Sequence, residues 1–322
     1  MIPDPDELFV YSIGMRTRFR GITVREGVLW KGPAGWAEFS PFWDYGPDES
    51  APWLRAAIDG AQHPFPAPRR TSIPVNCTVP AVGTERAQQV IRDSGGCRTA
   101  KVKVAEPGGS LREDCDRVAA VRDVLGPGGK IRVDANAGWT VTDAIDAIRA
   151  IDAAAGGLEY AEQPCATVDE LAAVRRSVDT PIAADESIRR AEDPLLVQRK
   201  EAADVAIIKV QPLGGIAATL QLAEQLTLPL VVSSALETSV GLAMSVALAA
   251  ALPELPYACG LNTAQLLTDD ACSTSLIAAD GEIAVPQERI VPDRLDHVRA
   301  DATTRQRWID RISAISLTGV GA

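Results

Sequence analysis

Histidine is nearly absent from this chain: two residues in 322, His63 in a proline-rich stretch and His297 close to the C-terminal end. Acid/base chemistry built on histidine is therefore set aside, and proton transfer falls to another side chain. The six cysteines are scattered and no Cys-x-x-Cys pair occurs. They read as reduced thiols, not as a disulfide frame or redox pair. Positive charge is in deficit, with 32 Lys and Arg against 43 Asp and Glu and a net charge of −11. That balance argues against nucleic acid or an anionic membrane as partner. The longest apolar stretch, Val240 to Leu252, falls short of the roughly 20 residues that span a bilayer and reads as a buried helix. The N-terminal MIPDPDELF is acidic and proline-bearing, unlike a secretory signal. A cytoplasmic protein is expected.

What is present divides the chain. Residues from about Leu8 to Phe42 read as strands, with a hairpin turn over Lys31–Gly35, and a helix follows through APWLRAAIDGA. Four of the six tryptophans (Trp30, Trp36, Trp43, Trp53) fall in this part, which predicts a small layer with its own aromatic core. The linker HPFPAPRRTSIP then marks a boundary. From Val75 strand and helix patterns alternate, with strands at VNCTV, TAKVKV, KIRVDAN, GLEYAEQP, PIAADES, DVAIIKV, PLVVSSA and YACGLN. Eight parallel strands covered on both faces make a (β/α) barrel of the TIM type. The expected organisation is an α+β capping domain over residues 1–72, the barrel over 73–265, and a C-terminal segment over 266–322 that packs back on both. The last segment is expected to hold a hairpin arm, AADGEIAVP, and one amphipathic helix, RLDHVRADATTRQRWIDRI.

Five charged residues each close one of the apolar runs: Lys103, Asp134, Glu162, Asp185 and Lys209, separated by 31, 28, 23 and 24 residues. That is the spacing of successive βα units, and barrel enzymes draw their catalytic groups from the C-terminal ends of several strands. Taken singly, each acid could be a helix cap or a loop charge. Taken together, three carboxylates on adjacent strand ends need a cation between them, and a hard divalent ion suits oxygen donors. In Lys101-Val102-Lys103 the period of two puts both lysines on the inward face. A lysine there serves as a base only if its pKa is lowered, here by the neighbouring cation Lys101 and by the metal. Asn136 and Glu186 lie one or two residues past metal-ligand candidates and could support them. Arg132 also points inward, toward either a metal-site carboxylate or a substrate. Ser233, Ser234 and Glu237 at the seventh strand's end could hold a substrate carboxylate, or simply cap the next helix. Gly214 and Gly215 allow close approach of a ligand or of packing neighbours.

The segments KVK, RVDANAGW, EYAEQP, AADES, IIKVQPLGG and SSALETSVG, in this order and spacing, resemble the enolase superfamily, muconate-lactonising subgroup, from about Val28 to about Leu267. The resemblance implies a modified barrel, (β/α)7β-like, under a cap. It implies Mg2+ on Asp134, Glu162 and Asp185, with Mn2+ able to substitute, and a small carboxylate as substrate. Lys103 would take the proton next to that carboxylate, and Lys209 would stabilise the enediolate from the opposite face. Lys101, Arg132, Ser233, Ser234 and Gly260 are the implied substrate contacts, and GMRTRFRG (Gly14–Gly21) the implied lid. SSALETSVG and the short chain further imply a hydro-lyase of menaquinone biosynthesis, acting on 2-succinyl-6-hydroxy-2,4-cyclohexadiene-1-carboxylate. Racemisation of N-succinylamino acids, or dipeptide epimerisation, is the alternative on the same residues. An epimerase would carry an acid for the substrate amine at the eighth strand's end, and YACGLN has none. Monomer and homo-oligomer both stay open.

Overall fold

The computed structural model of the chain describes residues 3–315. It begins with an antiparallel sheet of β1 (Phe9–Phe19), β2 (Ile22–Gly32) and β3 (Gly35–Phe39), with Phe9 opposite Leu29 and Val28 opposite Phe39. The stretch expected to be a lid loop, Gly14–Gly21, is the bulged end of the β1–β2 hairpin, with Met15 bridging to Leu267. Helix α1 (Pro47–Gln62) covers the sheet.

A short strand β4 (Ser72–Pro74) leads into the barrel: β5 (Cys77–Val79), α2 (Thr84–Arg92), β6 (Thr99–Lys103), α3 (Leu111–Leu125), β7 (Lys130–Asp134), α4 (Val141–Ala155), β8 (Tyr160–Glu162), α5 (Val168–Arg175), β9 (Ile182–Ala184), α6 (Glu186–Arg189), α7 (Leu196–Arg199), β10 (Val205–Ile208), α8 (Ile216–Gln225), β11 (Leu230–Val232) and α9 (Ser239–Ala251). Strands β5 to β11 form one parallel sheet in chain order. The eighth segment does not form the expected strand. It closes the sheet through single bridges, Cys259 to Val75 and Gly260 to Ser233. The Cys259 N–H donates to the Pro74 carbonyl (2.7 Å) and the Gly260 N–H to that of Val232 (2.8 Å). Close approach explains the glycine: a Cβ there would stand 2.5 Å from Ser233 Oγ.

The alternation of a β-strand decides what faces inward. Ala100, Val102, Ile131, Val133, Ala161, Ile182, Ala184, Ala206, Ile208 and Val232 belong to the main core between sheet and helices. Tyr160, Ala183, Val205, Ile207 and Val231 form a separate cluster inside the barrel. Continuing the inward set by two residues on each strand reaches Glu162, Asp185, Lys209 and Ser233.

The tail returns to the first layer. Strand β12 (Glu282–Ala284) pairs with β4, Ile283 opposite Ile73. The single helix expected after it is two, α10 (Leu295–Val298) and α11 (Ala302–Ile315). The chain between them is held extended along β1, where Arg299 bridges to Tyr11 and the Ala300 N–H donates to the Val10 carbonyl (3.0 Å). Asp301 then restarts the helix by accepting from the Thr304 N–H (2.7 Å). Trp308 on α11 joins Phe9, Tyr11, Trp30, Phe39 and Trp53 in the core of the capping layer. The ends of the expected capping and tail segments, residues 1–2 and 316–322, lie outside the described residues.

The two layers meet at a buried polar seam. Glu38 of β3 and Glu237, just before α9, are both fully buried. Burial and then the charge of Glu38 push the Glu237 carboxyl up to about 7. The folded state therefore keeps a proton that the unfolded chain releases near 4.5, so stability is fully present below that value and is lost as pH rises through about 7. The shift amounts to about 3 kcal/mol as an upper bound. Urea unfolding of wild type and Glu237→Gln between pH 5 and 8 checks it. The wild type is expected to lose more stability than the variant over that range, whereas parallel curves would refute the assignment.

Candidate active site

Each strand end delivers one side chain to the same mouth. Lys103 is paired in register with Asp134, and Asp134 with Glu162. Asp185 and Lys209 follow β9 and β10 directly. All five are buried, as is Lys101. Lys101 Nζ bridges two acids, donating to Asp134 Oδ2 (3.0 Å) and Glu162 Oε1 (2.8 Å). Lys103 Nζ donates to the same Asp134 oxygen (2.6 Å) and to Asn136 Oδ1 (2.5 Å). Lys209 Nζ donates to Asp185 Oδ2 (2.5 Å). The structure thus brings the three acids together between Lys103 at one end of the row and Lys209 at the other.

The electrostatics separate the two neighbouring lysines. Burial disfavours the charge on Lys101, but Asp134 and Glu162 outweigh it and hold the ammonium well above the usual lysine range. Lys103 is lowered: burial dominates, Asp134 opposes it, and the charge of Lys101 assists. The Val102 spacer thus produces one fixed cation and one lysine closer to neutrality, as a base requires. Burial raises the acids, yet Lys101 and Lys103 keep Asp134 well below the carboxylate range, and Arg189 and Lys209 bring Asp185 down to about 2. Glu162 goes the other way, to about 7, through burial and the charge of Asp134 against that of Lys101.

Among the described residues no group of three His, Cys, Asp or Glu side chains is arranged around a single ion position. The donor set nevertheless fits a divalent cation. Three buried carboxylates stand side by side, and an ammonium already serves as the shared cation between two of them. The expected partners of the ligands are in place. The Asn136 N–H donates to Asp134 Oδ1 (3.0 Å), and Asn136 Nδ2 to Glu186 Oε1 (3.2 Å). Glu186 Oε2 is buried without a hydrogen-bond partner.

Lys101, Lys103, Asp134, Asn136, Lys209, Ser233, Ser234 and Gly260 line one cavity, roofed by Phe19, Arg20, Phe42 and Trp53 of the capping layer. Its free volume is about 40 Å³, too little for an organic acid, so side chains or the hairpin end must give way for a substrate to enter. A larger cleft of about 960 Å³ opens beside it, between Thr17–Gly21 and the loops at 81–84 and 106–109. Ser233, Ser234 and Gly260 are therefore positioned to touch a ligand.

Two expectations are corrected. Arg132 points inward but does not line the cavity. Its guanidinium is bound to Glu159, to Asn76 Oδ1 (3.3 Å) and to the Ala258 carbonyl (2.9 Å), deeper in the barrel. Glu237 turns away to the seam, where its Oε2 accepts from the Ala235 N–H (2.9 Å).

The sequence reading missed Arg189. It donates to Asp185 Oδ1 (2.9 Å), to Glu186 Oε1 (2.6 Å) and to the Tyr45 hydroxyl (2.6 Å), tying the capping layer to the acid row. The signal was present in AADESIRR, since Arg189 stands four residues after Asp185 on one helix face. Gln163, also missed, accepts from the Asp185 and Ser187 N–H groups (3.0 and 3.1 Å) and fixes that turn.

The fold and the acid row together define the class. The chain belongs to the enolase superfamily: residues 84–289 match the family model described as enolase C-terminal domain-like, and residues 10–61 the one described as enolase N-terminal domain-like. Among curated proteins it is 58% identical over 304 residues to the o-succinylbenzoate synthase of Thermobifida fusca (strain YX), covering 94% of each chain. It is 54% identical to the o-succinylbenzoate synthase of Mycolicibacterium smegmatis, covering 96% of this chain and 95% of that one. Among solved structures, muconate lactonizing enzyme from Pseudomonas fluorescens superposes with a TM-score of 0.78 at 21% identity, over 91% of this chain and 98% of that one. The L-Ala-D/L-Glu epimerase from Bacillus subtilis superposes with 0.76 at 21%, over 88% and 96%. These two likenesses are of fold.

The bridge through Lys101 generates a prediction. Lys101→Met leaves Glu162 and Asp134 without their shared counter-charge, and breaking a buried pair in this way costs about 3–5 kcal/mol. Urea unfolding without divalent metal is expected to show that loss. A change of less than about 1 kcal/mol would mean that the bridge carries little of the site's stability.

Proposed function

We propose that this protein is an o-succinylbenzoate synthase, a hydro-lyase that removes water from 2-succinyl-6-hydroxy-2,4-cyclohexadiene-1-carboxylate to give 2-succinylbenzoate. The observation that carries the reading is the 58% identity to a curated o-succinylbenzoate synthase over 94% of both chains. The lysine-flanked acid row supports it chemically. Lys103 takes the proton next to the ring carboxylate, and burial, which lowers its pKa, favours that role. The ammonium so formed then protonates the departing hydroxide on the same face, and loss of water leaves the aromatic product. Lys209 faces the intermediate from the other side, where its charge stabilises an electron-rich enediolate. Ser233, Ser234 and Gly260 bound the substrate's pocket. Asp134, Glu162 and Asp185 would hold Mg2+, or Mn2+ in its place, which supplies positive charge beside the substrate carboxylate.

The capping domain in this reading is residues 1–72 with the tail 266–322, closing over a barrel of 73–265. The role is a step of menaquinone biosynthesis in the cytoplasm. Among the described residues no helix is long and apolar enough to cross a membrane. Racemisation or epimerisation is the weaker reading on this chain: Asn262, at the end of the eighth segment, is engaged with the Ser94 carbonyl and Gln265 and carries no charge.

The test is a paired assay with Mg2+. Aromatic product from the hydroxycyclohexadiene precursor is followed by absorbance, and racemisation of an N-succinylamino acid is followed in deuterated water. Fast dehydration is expected, and racemisation without dehydration would overturn the assignment. Lys103→Ala is expected to lower kcat by about 10²–10⁴-fold with the fold intact by circular dichroism. Mg2+ alone is expected to raise the Tm of the wild type but not that of Asp185→Asn. An equal rise in both would remove Asp185 from the metal site.

A further inference from the structure

The cavity wall contributed by the segment between β11 and α9 is held from outside the barrel. Ala235 and Leu236 line the cavity beside Ser233 and Ser234, and Leu236 is in the left-handed region, at φ +66°. A branched residue in that region keeps its conformation only where the surroundings impose it. The restraint comes from the capping layer. Arg25 on β2, itself buried, donates through Nε to the Leu236 carbonyl (2.9 Å) and through Nη2 to that of Ala235 (3.2 Å). Further donation from Arg25, to the carbonyls of Glu26 (3.1 Å) and Ser40, keeps the guanidinium fixed to its own layer.

Glu38 pins the other end of the segment. Its carboxylate belongs to β3 but lies at the N-terminus of the barrel helix α9. There it accepts from the Thr238 N–H (3.1 Å), the Gly241 N–H (3.1 Å) and the Thr238 hydroxyl (2.5 Å). An acid at that end satisfies free N–H groups and the helix dipole. The Tyr11 and Ser40 hydroxyls, both 2.7 Å away, hold the carboxylate from the capping side. Gly241 is required for the contact, because a Cβ would stand 2.8 Å from Glu38 Oε2.

We propose that Arg25 and Glu38 are positioning residues for the substrate pocket: from the capping layer they fix the segment from Ser234 to Thr238 in the conformation that makes the pocket wall. Neither lines the cavity. Their effect is on how well the pocket is formed before chemistry, so their loss falls on substrate binding and leaves proton transfer at Lys103 nearly untouched. The kinetic part of this inference rests on the dehydration proposed above, and the exchange part does not.

The experiment compares wild type with Glu38→Gln and with the milder Tyr11→Phe, which removes one hydrogen bond from the same carboxylate. Amide hydrogen exchange is read over residues 234–241 and over the barrel strands, and KM and kcat are measured for dehydration. The expected result for Glu38→Gln is exchange about 10- to 100-fold faster at Ala235, Thr238 and Gly241, with the barrel strands unchanged. KM is expected to rise about 10-fold while kcat stays within about 3-fold. Tyr11→Phe is expected to move both readouts in the same direction by less. Unchanged exchange at these amides overturns the proposal. So does faster exchange spread equally over the barrel strands, which marks a general loss of stability, and so does a loss confined to kcat. If the wild type shows no dehydration, the functional reading falls and the exchange data alone decide whether the anchor exists.

Discussion

Carboxylates shut away from water must be neutralised, and much of this structure follows from that requirement. Asp134, Glu162 and Asp185 are each about 1% exposed. A buried carboxylate without a counter-charge costs several kcal/mol. Lys101, Lys103, Lys209 and Arg189 answer that demand, and every one of them is buried in turn. Such a cluster is tolerated only where rigid elements fix each partner. Here the three acids, Lys103 and Lys209 stand at or just past strand ends of one sheet, with Lys101 inside β6 and Arg189 on α6, beyond the cluster of Tyr160, Ala183, Val205, Ile207 and Val231 inside the barrel. The same packing makes the lysines unequal: Lys101 gains two acids and keeps its proton, while Lys103 shares one of them and is pushed toward neutrality.

The barrel and the acid row were legible because both rest on period-two alternation. In VAIIK the apolar residues alternate between two cores, in KIRVD Ile131 and Val133 face the outer one, and in both the charged residue at the end continues the inward set. Arg132 obeys the same rule and was still misplaced. Alternation gives the face and says nothing of the depth, and two residues short of the strand end is deep enough to meet Glu159 instead of a ligand. The eighth strand was read too long for a related reason. YACGLN has strand-like residues, but closure needs only the backbone of Cys259 and Gly260. The tail helix broke where its backbone found partners in β1, a pairing across nearly the whole chain that no local pattern records.

Glu237 shows a second limit. A carboxylate, two hydroxyls and a helix start in SSALETSVG suit an anion site as well as they suit a cap, and the choice depends on what stands opposite. Glu38 stands opposite, 199 residues earlier in the chain, and its charge raises the Glu237 pKa. The segment is thus divided by direction: Ser233 and Ser234 face the cavity, and Glu237 faces the seam.

The placement of Trp308 bears on how the chain is made. The aromatic core of the capping layer joins Phe9, Tyr11, Trp30 and Trp53 to Trp308, 255 residues after the last of them. During synthesis the first layer emerges long before its last core side chain exists, while each barrel strand finds a neighbour within one βα unit. The N-terminal hairpin must therefore wait, with apolar surface uncovered, until α11 has been made. Such waiting surfaces are where nascent chains associate wrongly. A ribosome stalled before α11 would hold a chain with its barrel sequence complete and its roof unfinished.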